Sequence, residues 1–430
     1  NTYELGGGGV ETVAPSKLLR DEGEVVGSCH SAAGRGVGER GCDVHVAFRV
    51  VSISDQTPIR IGLLGIGTVG GGTYAVLTRN REEITRRVGR PLAITRVADL
   101  DLDLARRSTG PEVEVTDDAF AVVRDPDIDI VIELIGGYGI AKTLTLEALK
   151  HGKHVVTANK ALLAVHGNEI FQTALDNRVM VAFEAAVGGG IPIIKALREG
   201  LVANHIEWIA GIINGTSNFI LSEMRDKGLP FAVALKDAQR KGYAEADPTF
   251  DIGGFDTAHK LALLTSLAFG TPPSPDAIYV EGIEAITAAD IEAAEDLGYR
   301  IKLLGVAQRT ESGIEQRVHP AMVPAGSAIA AVSGVTNCVA IDADYGGALT
   351  LVGPGAGERP TASAVVADIV DIARGDRTPA FITPAKHLKT YRRAQLRTHE
   401  GGYYVRLSVF DRPGAFAAIA GCMAAHQISL

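Results

Sequence analysis

Cysteine is scarce. Four residues in 430, Cys29, Cys42, Cys338 and Cys422, lie far apart without CxxC or any metal-ligand spacing, which excludes a disulfide scaffold and implies reduced, inert thiols in a reducing compartment. Long apolar runs are missing too: none reaches the ~18 residues of a membrane span, and the N-terminal stretch has no apolar core of a secretory signal. The expected location is the cytoplasm. An excess of basic charge is also lacking, since 42 Lys and Arg face 51 Asp and Glu for a net charge of −9. That argues against nucleic acid or an anionic membrane as the main partner and leaves small ligands as the better expectation. Aromatics amount to only 5%, yet 46% apolar and 22% charged residues with 50 glycines describe a globular chain rich in tight turns and exclude bulk disorder. No internal repeat or low-complexity tract occurs. At ~100–200 residues per domain, the length implies two or three domains.

Residues 1–57 carry the run Gly6-Gly7-Gly8-Gly9 and almost no helical or strand period, so a poorly ordered extension is expected there. From Arg60 the texture changes. Apolar runs at 61–64, 92–98, 128–134, 154–157 and 179–183 read as buried strands, and helical patterns at 69–80, 141–151 and 168–176 lie between them. Such alternation predicts βαβ units and a doubly wound parallel sheet, because a crossover helix normally joins neighbouring parallel strands. After Gly188-Gly189-Gly190 the pattern becomes mixed, with strand-like 208–213 and 299–308 and helical 232–241 and 254–267. The fold class is α/β, a Rossmann-type sheet plus a central α+β domain. The expected division is 58–186 with 340–378 for dinucleotide binding, 187–339 for substrate binding and oligomerisation, 379–400 as a linker, and 401–430, with a strand at 403–409 and a helix at 414–425, as a last segment.

Gly65-Ile66-Gly67-Thr68-Val69-Gly70 follows a strand and opens a helix. Glycines in that context permit a tight turn, close approach of the backbone to a pyrophosphate and close helix–strand packing, while the helix N-terminus offers N–H groups to the anion. The second strand ends at Asp99, where a carboxylate suits a ribose 2′-hydroxyl and NAD. Arg106 and Arg107 follow and suit a 2′-phosphate or a solvated helix face, so both NAD and NADP stay open. Reduction of a carbonyl needs an acid beside the oxygen. Lys160, after Asn159, sits where the carboxyl edge of the sheet places ligands, although an ordinary surface lysine fits the same position. Glu245, Asp251, Asp256 and Lys260 crowd one stretch; Asp256 and Lys260 are spaced i,i+4, hence on one helix face. A surface ion pair explains that spacing, and so does an acidic pocket for an α-ammonium with Lys260 facing the reacting oxygen.

These residues carry a family resemblance. Val131-Ile132-Glu133-Leu134-Ile135-Gly136-Gly137, Val155-Val156-Thr157-Ala158-Asn159-Lys160, the run from Phe183 to Pro192, Gly211-Ile212-Ile213-Asn214-Gly215-Thr216-Ser217-Asn218 and the stretch from Gly242 to Lys260 resemble homoserine dehydrogenase, in order, over about 60–373. The resemblance implies reversible NAD(P)H-dependent reduction of L-aspartate 4-semialdehyde to L-homoserine, on the branch to threonine, methionine and isoleucine. It assigns Lys260 as proton donor and Lys160 as the second lysine beside nicotinamide and substrate. Glu245, Asp256 and Asp251 bind homoserine; Asn214, Gly215, Thr216 and Gly242 line the cleft, and Gly242, Gly355 and Gly357 join the glycine-rich turn and Asp99 on the cofactor side. It further implies a monovalent cation, commonly sodium, held mainly by backbone carbonyls in the loop of Glu184, Val187, Gly189 and Ile191, and a homodimer or homotetramer. Residues 403–430 resemble the opening strand and helix of an ACT domain, a partial module. Glu358-Arg359 departs from the smaller residue often found after Gly355-Ala356-Gly357.

Overall fold

The computed structural model describes residues 24–25, 48–49, 57–394 and 402–428. Apart from a two-residue antiparallel ribbon pairing Glu24–Val25 with Phe48–Arg49, the expectation for residues 1–57 lies outside the described residues, as do 395–401.

The first sheet contains β1 (Ile59–Leu64), β2 (Leu92–Ala98), β3 (Glu114–Thr116), β4 (Ile130–Glu133), β5 (His154–Thr157) and β6 (Val181–Ala182). All are parallel, in the order β3-β2-β1-β4-β5-β6. Ile61, Leu63, Leu64, Val131 and Ile132 are fully buried, as a parallel sheet covered on both faces demands of its strands. The order reverses between β1 and β4, so a crevice opens at the carboxyl ends of these two strands, where sheets of this kind bind ligands. Helices Thr68–Arg79, Gly139–Lys150 and Lys160–Asp176 cover the faces.

A much later helix, Glu358–Arg374, packs onto Thr68–Arg79. Gly72 makes this approach feasible: a Cβ there would fall 2.7 Å from Glu358 Cγ and 3.3 Å from Ala362 Cβ. Glu358, the residue that departs from the family pattern, therefore seals the helix contact.

The second sheet contains β7 (Ile206–Ile212), β8 (Tyr279–Val280), β9 (Tyr299–Thr310), β10 (Gly313–Pro324), β11 (Thr336–Ala343) and β12 (Gly347–Pro354), in the order β8-β10-β9-β7-β11-β12. Only the β8–β10 pairing is parallel. Helix Phe255–Phe269 is buried along most of its length; it packs on this sheet and also against helix Lys160–Asp176 of the first domain. That shared helix sets the site.

Three expectations need correction. The chain does not return to the first domain at 340, because β11 and β12 complete the second sheet by antiparallel pairing with β7 and with each other; it crosses back at Gly355, ahead of helix Glu358–Arg374. Residues 379–394 are more than a linker. Phe381, 2% exposed, packs on the Phe171–Phe183 pair with ring centroids 4.7 and 5.7 Å away, and the connector pairs with β10 through Ile314 and Arg393. Residues 403–409 form no strand: no described strand lies beside them to take up their backbone groups. Helix Ala415–Ala425 does form, with no buried residue.

Candidate active site

The glycine-rich turn sits at the end of β1. Gly65 has φ +91°, and a Cβ on Gly70 would fall 2.1 Å from the Gly65 carbonyl oxygen, so close packing of turn and helix requires both glycines. Gly67 faces open space, and no side chain caps helix Thr68–Arg79; its first N–H groups are free for an anion. Asp99, at the end of β2, is held by backbone groups. One carboxylate oxygen accepts the Ile66 N–H at 2.7 Å and the other the Asp101 N–H at 2.9 Å, so Asp99 clamps the glycine-rich turn itself. Arg106 and Arg107 are exposed, Arg106 facing Asp103 at 3.6 Å.

Across the crevice, Asn159 caps helix Lys160–Asp176 by accepting the Leu162 N–H at 3.1 Å, which sets Lys160 at its first turn. Lys160 Nζ lies 3.0 Å from Asp256 Oδ1. Lys260, one turn beyond Asp256 on helix Phe255–Phe269, donates to Asp256 Oδ2 at 2.7 Å and to the Ile213 carbonyl at 2.7 Å. Asn214 caps helix Gly215–Lys227 through the Ser217 N–H and donates its amide to Asp256 Oδ2 and Asp251 Oδ1 at 2.9 and 2.8 Å. Two lysines from different domains therefore share one carboxylate, itself braced by an asparagine.

Burial governs the electrostatics. Asp256 is 4% exposed; burial alone would raise its carboxyl, and the Lys260 and Lys160 ammonium groups overturn this, holding it well below the usual carboxylate range. Burial lowers Lys260, and the pull of Asp256 only partly restores it because Lys160 pushes the other way. Lys160, less enclosed, is lowered by burial but raised overall by Asp256. Burial also raises Asp251.

The other expected substrate residues surround this pair. Glu245 is exposed on the loop after helix Phe231–Arg240, held by Gln239 donating to its carbonyl at 3.1 Å, and its charge reaches Lys160. Thr216 Oγ1 donates to the Tyr243 carbonyl at 2.6 Å, tying the cleft wall to that loop. Gly242 turns the chain with φ +75°, and Gly215 lies so near Val335 that a Cβ would fall 2.8 Å from its carbonyl oxygen.

The loop carrying Glu184, Val187, Gly189 and Ile191 abuts Gly355: a Cβ on Gly189 would fall 2.5 Å from the Gly355 carbonyl carbon, and the Gly190 N–H donates to Pro354 at 3.0 Å. Gly355 presses on the Asn337 side chain, and Gly357 turns with φ +111° into the returning helix. The Glu184 carboxylate is already engaged by the Ile194 and Lys195 N–H groups, each at 2.9 Å, and burial pushes it up to about 7. Among the described residues no group of three or more His, Cys, Asp or Glu side chains is arranged to hold a metal.

Two models of known families match: "Homoserine dehydrogenase, NAD binding domain" over residues 65–184 and "Homoserine dehydrogenase" over 192–370. The chain belongs to the homoserine dehydrogenase family. Homoserine dehydrogenase of Pseudomonas aeruginosa is 52% identical over 384 residues, covering 87% of each chain, and that of Neisseria gonorrhoeae is 52% identical over 379 residues with the same coverage. A solved homoserine dehydrogenase from Thiobacillus denitrificans is 60% identical with a TM-score of 0.73 over 74% of each chain. A hyperthermophilic archaeal homoserine dehydrogenase in complex with NADPH is 26% identical, with a TM-score of 0.63 over 73% of this chain and 97% of that one. This member is thus an NAD(P)-dependent oxidoreductase with a Rossmann-like sheet and a second mixed sheet. Sequence reading missed Glu133 and Thr157, whose contact follows from the register of β4 against β5, and His259, a half-buried neighbour of Asp256 and Lys160.

Proposed function

We propose that the cleft between the two sheets reduces L-aspartate 4-semialdehyde reversibly to L-homoserine, with Lys260 as the proton donor. The observation that carries this assignment is the shared carboxylate: Asp256 joins Lys260 of the substrate domain to Lys160 of the cofactor domain at 2.7 and 3.0 Å. Bound NAD(P)H supplies a hydride to the aldehyde carbon. Lys260 Nζ carries three hydrogens, two of them committed to Asp256 and Ile213, and the third serves the aldehyde oxygen as it gains charge. Burial makes this ammonium a stronger acid than an ordinary lysine, bringing it closer to the working pH. Lys160 orients the oxygen from the cofactor side, and Asp256, Asp251 and Glu245 receive the α-ammonium, with Asn214, Thr216 and the Gly215 turn as the wall. The N–H groups after Gly67 take the pyrophosphate.

The carbonyls of Val187 and Gly189 accept no hydrogen bond among the described residues, and such oxygens suit a hard cation; we assign them, with the carbonyls of Glu184 and Ile191, to a structural sodium ion. Its place against Gly355 supports a role in bracing the domain crossing. The resemblance further supports a cytoplasmic homodimer or homotetramer acting in threonine, methionine and isoleucine synthesis; no described helix is long and apolar enough to cross a membrane.

The test is reduction of NAD⁺ and NADP⁺ at alkaline pH with L-homoserine and related amino acids, by the parent and by Lys260→Ala. Preference for homoserine and loss of ~10²–10⁴ in the variant with unchanged nucleotide binding is the expected result. Full activity in Lys260→Ala removes that lysine from the chemistry.

A further inference from the structure

Glu133 ends β4 and is fully buried (0% exposed). A carboxyl group in such a place needs a reason, because burying it without partners is costly. Its Oε1 accepts the Ile135 and Gly136 N–H groups at 2.9 and 3.2 Å, and its Oε2 accepts the Thr157 hydroxyl at 2.8 Å. Among the described residues no lysine or arginine pairs with it, so the bonds run to a loop and to the neighbouring strand. Thr157 in turn accepts the Asn159 N–H at 2.9 Å, and Asn159 Nδ2 donates to the Gly137 carbonyl at 2.7 Å.

These contacts close a ring: Glu133, the loop at 135–137, Asn159, Thr157 and back to Glu133. Its two outputs both face the cleft. The loop begins at Leu134, which lies so close to the glycine-rich turn that a Cβ on Gly65 would fall 2.9 Å from the Leu134 carbonyl oxygen. Asn159 is the cap of the helix whose first residue is Lys160. Consecutive left-handed glycines, Gly136 at φ +82° and Gly137 at φ +70°, leave the loop few restraints other than this carboxylate.

We propose that Glu133 is a positioning residue, which through the ring with Thr157 and Asn159 fixes Lys160 against Asp256 and holds the 135–137 loop beside the bound nucleotide. The inference rests on the role given above to Lys160. Glu133 touches neither substrate nor the reacting atoms; it acts by geometry, and a displacement of about 1 Å is enough to cost on the order of 100-fold in rate.

The test is a double-mutant cycle with a conservative control. Glu133→Ala is expected to lower kcat by about 100-fold. Glu133→Gln keeps an acceptor for the two loop N–H groups and puts an amide donor toward Thr157 Oγ1, so it is expected to stay within about tenfold of the parent, the span of one exchanged hydrogen bond. In a Lys160→Ala background the Glu133→Ala change is expected to lower kcat less than about twofold further, since residues acting through one contact are not additive, while KM for the nucleotide, which depends on the 135–137 loop, rises in both backgrounds. Where Glu133→Ala fails to fold, Thr157→Val, which removes one hydroxyl from the ring, takes its place with an expected loss of about tenfold that again vanishes without Lys160. Full additivity, or a Glu133→Gln enzyme as poor as Glu133→Ala, overturns the proposal. Undiminished activity of Lys160→Ala alone overturns instead the role given to that lysine, and the proposal falls with it for that separate reason.

Discussion

Lys160 and Asp256 meet at 3.0 Å across the boundary between the two domains. One belongs to the first turn of a helix laid on the nucleotide-binding sheet and the other to a helix buried under the second sheet. Their ion pair closes the cleft by electrostatics where the backbone does not cross it. Asp256 also holds Lys260, so removing its charge leaves two ammonium groups facing each other in a poorly solvated place. Asp256→Asn is expected to lose about 100-fold or more in kcat, within the ~10²–10⁴ span of acid–base catalysis, with a lower melting temperature. Near-parental kcat in a folded variant rejects the shared-carboxylate arrangement.

The pH profile carries a sign. Reduction of the aldehyde requires Lys260 protonated, and oxidation of homoserine requires it neutral. Burial lowers Lys260 from its ordinary 10.5, so the rate of reduction declines, and that of oxidation rises, through an ionisation below that value. Asp256→Asn removes the main group that raises Lys260 and moves both limbs to still lower pH. Profiles of kcat/KM in the two directions check this; a limb that does not move in Asp256→Asn belongs to another group.

How far the chain discloses its own site depends on the reach of each contact. The Asp256–Lys260 pair was legible because one helical turn joins them, and the glycine-rich turn because a strand and a helix frame it locally. The Lys160–Asp256 contact was not, since no spacing rule spans two domains. The Glu133–Thr157 bond depends on β4 lying beside β5 in a particular register, which apolar runs alone leave open. The apolar stretch at 336–354 fits either sheet by its texture, and only its pairing with β7 places it in the second. Alternation at 403–409 suggests a strand, but a strand exists only with a neighbour.

His154 offers a stability measurement away from the cleft. Its Nδ1 accepts the Met180 N–H at 2.9 Å, and burial, aided by the Arg377 cation, lowers it from 6.5 to about 4. The folded chain therefore keeps this ring neutral while the unfolded chain protonates it below about 6.5. The stability contributed is complete above that pH and is lost as pH falls from 6.5 toward 4. Melting temperature is expected to decline through this window in the parent and less steeply in His154→Asn. Equal slopes in both reject the assignment.

Two glycines of one motif are expected to fail in different ways. A methyl group on Gly70 would fall 2.1 Å from the Gly65 carbonyl oxygen, so Gly70→Ala must push the helix away from the turn and destabilise the first domain. Gly67 has nothing within 4 Å and a φ outside the left-handed region, so Gly67→Ala meets no neighbouring atom and adds a methyl group only where a pyrophosphate would approach. Gly67→Ala is therefore expected to keep the parental melting temperature and raise KM for the nicotinamide nucleotide about tenfold or more, with KM for homoserine little changed. Gly70→Ala is expected to lower the melting temperature. Unchanged nucleotide KM in Gly67→Ala means that the phosphates do not pass over this turn, and the helix N-terminus then has no anion to hold.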